Sequence, residues 1–447
     1  MRLAPLVAVG AAVALMATAC SSSSSGSASS DPNAVAKQIT IWSPPDNFWQ
    51  YQSEHLAQFT KDTGIKVNVV GIPEANILDK ETIAQRAHSK EFALYEGPTS
   101  LISQDVNLLG GVPLQPLIDN KTLTGSSFNL SDFNELPACT LNDKLYCLPM
   151  FVDGAAIAYN TKLFAQAGIA NPPQTWQDVI ADAQILSQKT TVPAFCTRGS
   201  QAGAAIATAH FMEAYYIPYN AQNKGFNVGP DWKSLSDSPE AIKWATDYQT
   251  LMTKYAPRGV AAYDAAKCKQ DFDQGKAAMF YDGVTTFDQG EFSPAAGSPI
   301  SGAVQFVAPQ CPTSDPCMPL GPWGMFLNPN VSKGEQNAAW KLMQYLSSPD
   351  FMTAEIAARA QPALAVLKSV ASKPVAGVPQ SYLTAINYVA SQAQPNAFPP
   401  TTVFNQSQQN EEIAISQLAT GTDPTKAMTF AATGTNNVFK QAGLLKQ

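Results

Sequence analysis

Charge is scarce in this chain of 447 residues: Asp, Glu, Lys and Arg together make up 14% of it, against roughly a quarter in a usual soluble domain. The surface must therefore rely on Ser, Thr, Asn and Gln. What charge there is leans acidic, with 28 Lys and Arg against 35 Asp and Glu and a net charge of −7. No basic stripe is present, which excludes the electrostatic footprint of a nucleic-acid-binding protein. Histidine is nearly absent: His55, His88 and His210 leave little material for His-rich metal sites or His-based catalysis. Also missing are the glycine-rich phosphate cradles G-x-x-x-x-G-K-[ST] and G-x-G-x-x-G, the D-x-[DN]-x-[DN]-G calcium loop, and the G-x-S-x-G nucleophile elbow. Glu411 and Glu412 are adjacent, so on a helix they face different sides and make a poor acid–base pair. No metal and no cofactor is expected.

Apolar residues are plentiful, at 45%, and are spread along the chain, so two or three folded domains with ample core are expected. Met1-Arg2, the apolar run Leu6 to Met16 and the small residues Ala17-Thr18-Ala19 read as a signal peptide over residues 1–19. Cys20 directly after those small residues resembles the bacterial lipoprotein lipobox, with Ala17 where Leu is usual. The resemblance implies cleavage before Cys20 and lipid on its sulfur, with residues 20–36 as a Ser-rich tether. No later segment has 18 uninterrupted apolar residues. Six cysteines remain: Cys139, Cys147, Cys196, Cys268, Cys311 and Cys317. An even number in an exported chain suggests disulfides, with 15 pairings open if all are used. Cys139–Cys147 and Cys311–Cys317 would close the shortest loops, leaving Cys196–Cys268. The CxxC spacing of a zinc site is lacking.

Strand and helix signals alternate. Ile39-Thr40-Ile41 reads as a strand, and Phe48, Tyr51, His55 and Phe59 as a helical face. Val67, Val69 and Ile72 read as a second strand. This βαβ start predicts an α/β fold with a mainly parallel sheet. Thr175 to Asp178 reads as a capping box, with Trp176, Val179, Ile180 and Ala183 behind it. Ser238-Pro239-Glu240 reads as a helix start whose buried face carries Trp244, Tyr248, Leu251 and Tyr255. Ala339, Leu342, Met343 and Leu346 form another apolar stripe.

Several segments in order resemble the family 1 extracellular solute-binding proteins, the carbohydrate receptors of bacterial ABC importers. They are Gly64-Ile65-Lys66-Val67; Lys144 to Pro149, with Asp143 replacing the usual Gly; Ile157 to Phe164; Asn171 to Trp176; Gly275 to Met279 followed by Asp282-Gly283; Gly321 to Gly324; and Ala338 to Leu346. The resemblance runs from about residue 38 to the C-terminus. It implies a two-lobed periplasmic-binding-protein-like fold of class II type, with the chain crossing a hinge more than once. Lobe 1 would hold residues 37–152 and 318–360, and lobe 2 residues 153–317 and 361–447. Ligand would sit in the cleft and be trapped by hinge closure, with no bond made or broken. A monomer, a pair of ABC permease subunits with a cytosolic ATPase, and a carbohydrate ligand, mono- or oligosaccharide or an alditol, are implied. A glycan-acting envelope enzyme, or a solute sensor or adhesin on the same fold, are the rival classes.

A sugar site needs aromatic plates for C–H faces and acids, amides or arginines for hydroxyls. Strand-end loops offer such groups. Asp46 and Asn47 follow the first strand, where either could instead cap the next helix, and Trp42 and Trp49 flank them. Glu96 ends an apolar run, Asp153 lies at the expected crossover, and Arg198 follows a strand-like segment. Asp282 precedes a glycine turn. The family's common Trp after that glycine is missing, and Phe287 is the nearest aromatic. Trp323 sits between glycine- and proline-rich turns, whereas Trp176, Trp244 and Trp340 occupy helical apolar faces and read as core. Arg359 follows the returning helix.

Overall fold

The computed structural model describes residues 31–43, 47–151, 154–201, 205–371, 373–394 and 397–446. The signal peptide, Cys20 and most of the tether lie outside the described residues. The first part of the chain forms β1 (Gln38–Ser43), α1 (Asn47–Thr63), β2 (Lys66–Gly71), α2 (Glu74–Arg86), β3 (Leu94–Pro98), α3 (Ile102–Leu109), α4 (Gln115–Asp119), β4 (Thr140–Leu141), β5 (Lys144–Leu145) and β6 (Cys147–Pro149). The middle forms β7 (Ala155–Asn160), α5 (Thr161–Ala167), α6 (Trp176–Lys189), β8 (Phe195–Cys196), α7 (Ala205–Tyr216), α8 (Pro239–Thr250), α9 (Ala265–Asp273), β9 (Met279–Gly283), α10 (Gln289–Phe292) and β10 (Val304–Val307). The last part forms β11 (Trp323–Leu327), α11 (Lys333–Leu346), α12 (Pro349–Arg359), α13 (Lys368–Ala371), α14 (Gln380–Ser391), α15 (Phe404–Ala419) and α16 (Pro424–Gln441).

Two sheets divide these strands. The first runs β2-β1-β3-β11-β6 and the second β10-β7-β9-β8, with β4-β5 a small hairpin. The β1-α1-β2 start is parallel as expected, with Ile39 opposite Val67 and Ile41 opposite Val69. The expectation of a mainly parallel sheet is corrected. β11 runs antiparallel to both β3 and β6, and β7 runs antiparallel to both β9 and β10. The physical reason is the crossing chain: β11 enters its sheet from the other body, so it runs against the strands that leave theirs.

Each sheet has its own core. Ile39, Ile41, Leu94, Leu148 and Met325 pack with Trp340, Leu342 and Met343 of α11. Ile157, Phe195 and Phe280 pack with Trp176, Trp244 and Tyr248. The helix starts are local: Thr175 and Asp178 form the capping box, Ser238 caps α8 above Pro239, and Ser332 and Glu335 box the start of α11. Each such cap contributes about 1 kcal/mol. Trp176, Trp244 and Trp340 are buried, as the periodicity predicts. Three disulfides close Cys139–Cys147, Cys196–Cys268 and Cys311–Cys317, with Cα separations of 5.0, 5.7 and 5.8 Å.

The chain passes between the cores repeatedly. Phe151 packs in the first and Ala155 in the second, while Cys317, Met318 and Leu320 still belong to the second and Met325 to the first. Ile356 is in the first core, Ala360 and Ala363 touch the second, Leu364 to Leu367 return to the first, and Tyr382 lies in the second.

Candidate functional site

Strand direction decides which sheet edges face the crossings. β1, β3 and β6 deliver their carboxyl ends to the edge where β11 begins, with Trp323 opposite Pro98 and Gly324 opposite both Gly97 and Pro149. In the second sheet the carboxyl ends of β8 and β9 lie beside the start of β7, where Ala155 pairs with Gly283. Carboxyl ends of strands at a change of direction are where α/β proteins hold ligands.

Arg198 and Asp282 meet at that second edge. β8 and β9 run parallel with Cys196 opposite Phe280, so two residues further on each strand brings the guanidinium to the carboxylate. Arg198 Nε donates to Asp282 Oδ1 and Oδ2 at 3.1 and 3.0 Å, and Nη2 donates to Oδ1 at 2.6 Å. The Gly283 N–H and the Thr286 hydroxyl also donate to Oδ1, at 2.7 and 2.8 Å. The Arg198 carbonyl accepts from the Tyr248 hydroxyl at 3.3 Å. Asp282 is fully buried and Arg198 keeps 13% of its side chain exposed. A fork-to-fork pair of this kind fixes both planes and presents the arginine edge in one orientation. The Cys196–Cys268 disulfide, two residues before Arg198, ties this edge to α9.

The other sequence-predicted residues are placed as follows. Asp46 and Asp153 lie outside the described residues. Asn47 and Trp49 belong to the first turn of α1, and their side chains lie outside the description. Trp323 is half-buried at the start of β11, packed against the buried apolar groups of the first body. Glu96 does not end a strand: it lies inside β3 and is fully buried, with the charges of Glu81 and Asp105 nearby. Burial, then the charges of Asp105 and Glu96, pushes Glu81 well above the ordinary carboxyl range. Burial raises Asp105 to about 7.

Two expectations are corrected. Trp42 is buried against Phe92, ring centroids 4.3 Å apart, because strand alternation turns it away from the face of Ile41. Phe287 is wholly buried among Phe280, Phe306 and Tyr382, because the short turn Val284–Thr286 directs it into the second core. Neither presents a stacking face. Arg359 closes α12 and pairs with Glu355 at 3.3 Å on its own helix.

Sequence reasoning missed Gln361. This buried amide donates to the carbonyls of Thr285 and Phe287 at 3.1 and 2.5 Å and accepts from the Tyr382 hydroxyl at 2.8 Å. It thereby fastens the end of α12 to the turn after β9. A lone Gln inside Ala360 to Leu367, otherwise apolar or proline, was the available signal. Also missed was the wall of a cavity of about 610 Å³ between the bodies. Thr99, Ser100 and Ser103 line it from the first body and Leu320, Gln394 and Phe398 from the other side. Hydroxyls, an amide and an aromatic ring around a space this size suit a small polyhydroxylated molecule.

Comparison with known proteins gives one consistent result. The family model for bacterial extracellular solute-binding proteins matches residues 42–353. The erythritol/L-threitol-binding protein of Mycolicibacterium smegmatis is 24% identical over 430 residues, covering 91% of this chain and 87% of that protein. The maltose-bound MalE3 structure of T. maritima has a TM-score of 0.76 at 19% identity, covering 90% of this chain and 99% of that one. A solute-binding protein of Agrobacterium radiobacter K84 in complex with ribitol has a TM-score of 0.73 at 24% identity, covering 89% and 97%.

Proposed function

Because this chain belongs to the family of bacterial extracellular solute-binding proteins, we propose that it captures a carbohydrate or an alditol and delivers it to an ABC importer. Such a protein is exported, and no described helix is long and apolar enough to cross a membrane. Capture is by hinge closure, which ligand stabilises by contacting both lobes at once. The lobes are residues 37–152 with 318–360, and 153–317 with 361–447, except that Met318, Leu320 and Ala360 pack in the second core and Leu364 to Leu367 in the first. Permease subunits and a cytosolic ATPase are the partners, the protein is a monomer, and the lipid on Cys20 holds it at the outer face of the cytoplasmic membrane.

The observation that carries this reading is the cavity between the bodies, walled from both sides by groups that suit hydroxyls and C–H faces. Arg198 with Asp282, Trp323, Asp46, Asn47, Trp49 and Asp153 are the further ligand contacts. Relatives that bind erythritol and ribitol favour the alditol arm, and the maltose-bound neighbour keeps sugars in view. The family is one of binding proteins, so the ligand leaves unchanged. Deleting the gene and measuring uptake of labelled tetritols, pentitols, hexitols and disaccharides tests the transport role. Loss of uptake of one class is expected; undiminished uptake of all of them would overturn it.

A further inference from the structure

α7 carries His210 and Glu213 three residues apart, hence on one face. α15 packs against that face and supplies Glu411. His210 Nε2 stands 2.8 Å from Glu411 Oε2 and 3.9 Å from Glu213 Oε2, and one ligand atom from each residue lies within 4.8 Å of the other two. All three side chains are buried. The two glutamates are not held alike. Glu411 accepts from the Asn227 amide on both oxygens at 2.8 Å and from the Ser236 hydroxyl at 2.8 Å. Glu213, at 1% exposure, has an oxygen, Oε1, that no hydrogen-bond donor reaches. A buried carboxylate oxygen without a donor is costly unless another positive group satisfies it.

We infer that His210, Glu213 and Glu411 form a binding site for a divalent cation, zinc foremost, that pins α7 to α15. The charges fit the ion: two carboxylates, a neutral imidazole and a divalent cation sum to zero. The spacing suits the ion. Four-coordinate zinc with bonds of about 2.0 Å sets its ligand atoms about 3.3 Å apart, so the 2.8 Å edge opens slightly and the 3.9 Å edge closes slightly. One imidazole with two carboxylates is a donor set for zinc more than for magnesium or calcium, which prefer all-oxygen shells. Asn227 and Ser236 then act as the outer partners that orient a ligating carboxylate. Phe226 holds the imidazole ring edge-on, centroids 4.9 Å apart. The site is independent of the solute-receptor reading.

The test strips the full chain with chelator, titrates zinc chloride by calorimetry, and follows the thermal midpoint with and without zinc. One zinc per chain is expected, with a midpoint several degrees higher in saturating zinc, and Glu213→Gln binding it on the order of 100-fold more weakly. That substitution keeps shape and relieves charge, so it should fold even if His210→Ala does not. Absence of both heat and midpoint shift in the wild-type chain would overturn the inference, as would unchanged zinc affinity in Glu213→Gln.

Discussion

Asp282 and Arg198 are 84 residues apart in sequence, and each is legible singly, as an acid before a glycine turn and as an arginine after a strand. Their pairing is not legible, because it depends on the parallel register of β8 against β9. Asp282→Ala leaves the guanidinium, the Gly283 N–H and the Thr286 hydroxyl short of an acceptor in a buried place, at a cost of about 3 kcal/mol. Urea unfolding should show that loss, and the variant should bind the solute more weakly as well. Asp105 gives a pH effect. Its folded-state value of about 7 lies above the ordinary 3.8 because burial disfavours the charged form. The folded state therefore keeps a proton that the unfolded chain releases, and the stability tied to it is full below pH about 4 and lost as pH rises towards 7. Asp105→Asn should flatten the fall of the thermal midpoint between pH 4 and 7, by at most about 1.4 kcal/mol per pH unit; an unchanged profile would contradict the assignment. Phe287 was misread because nothing local distinguishes a turn that swings its ring into the core from one that leaves it in the cleft.

Elements were the most legible level. The capping boxes of α6 and α11 and the proline-led start of α8 follow from residues within four positions of each other, and the buried tryptophans follow from a 3.6-residue period. Strand direction was not legible, since β11 pairs with strands about 175 or more residues earlier and its polarity is set by where the chain last crossed. The disulfides fall between. Short loops pointed to Cys139–Cys147 and Cys311–Cys317, and the long-range pair was the remainder. Cys196–Cys268 spans 72 residues and Cys311–Cys317 spans six, so loop-closure entropy assigns about 4 kcal/mol to the first and about 2 kcal/mol to the second. Replacing each pair by alanines and measuring denaturant unfolding should therefore show the larger loss for Cys196–Cys268. The reverse order would mean that residual structure in the unfolded chain, and not loop length, governs them.

At the scale of the whole molecule, two bodies with separate cores are joined by segments that touch both, and Gln361 is the side chain that fastens one such segment across the joint. Gln361→Ala should lower the unfolding free energy by about 1–3 kcal/mol, because two carbonyls and the Tyr382 hydroxyl lose a buried partner. A Leu-like tolerance of the change would argue against that fastening. The two-lobed architecture was legible through its ordered family segments, while the cavity wall was not: Thr99, Ser103, Gln394 and Phe398 are brought together from ends of the chain that no short motif connects. Titrating residues 31–447 in a calorimeter with erythritol, threitol, ribitol, mannitol, a hexose and maltose tests the central claim most directly. One chemical class should bind with one site per chain, and at about 100 times its dissociation constant should stabilise the fold by about 2.7 kcal/mol. Silence across every alditol and sugar would contradict a carbohydrate or alditol receptor.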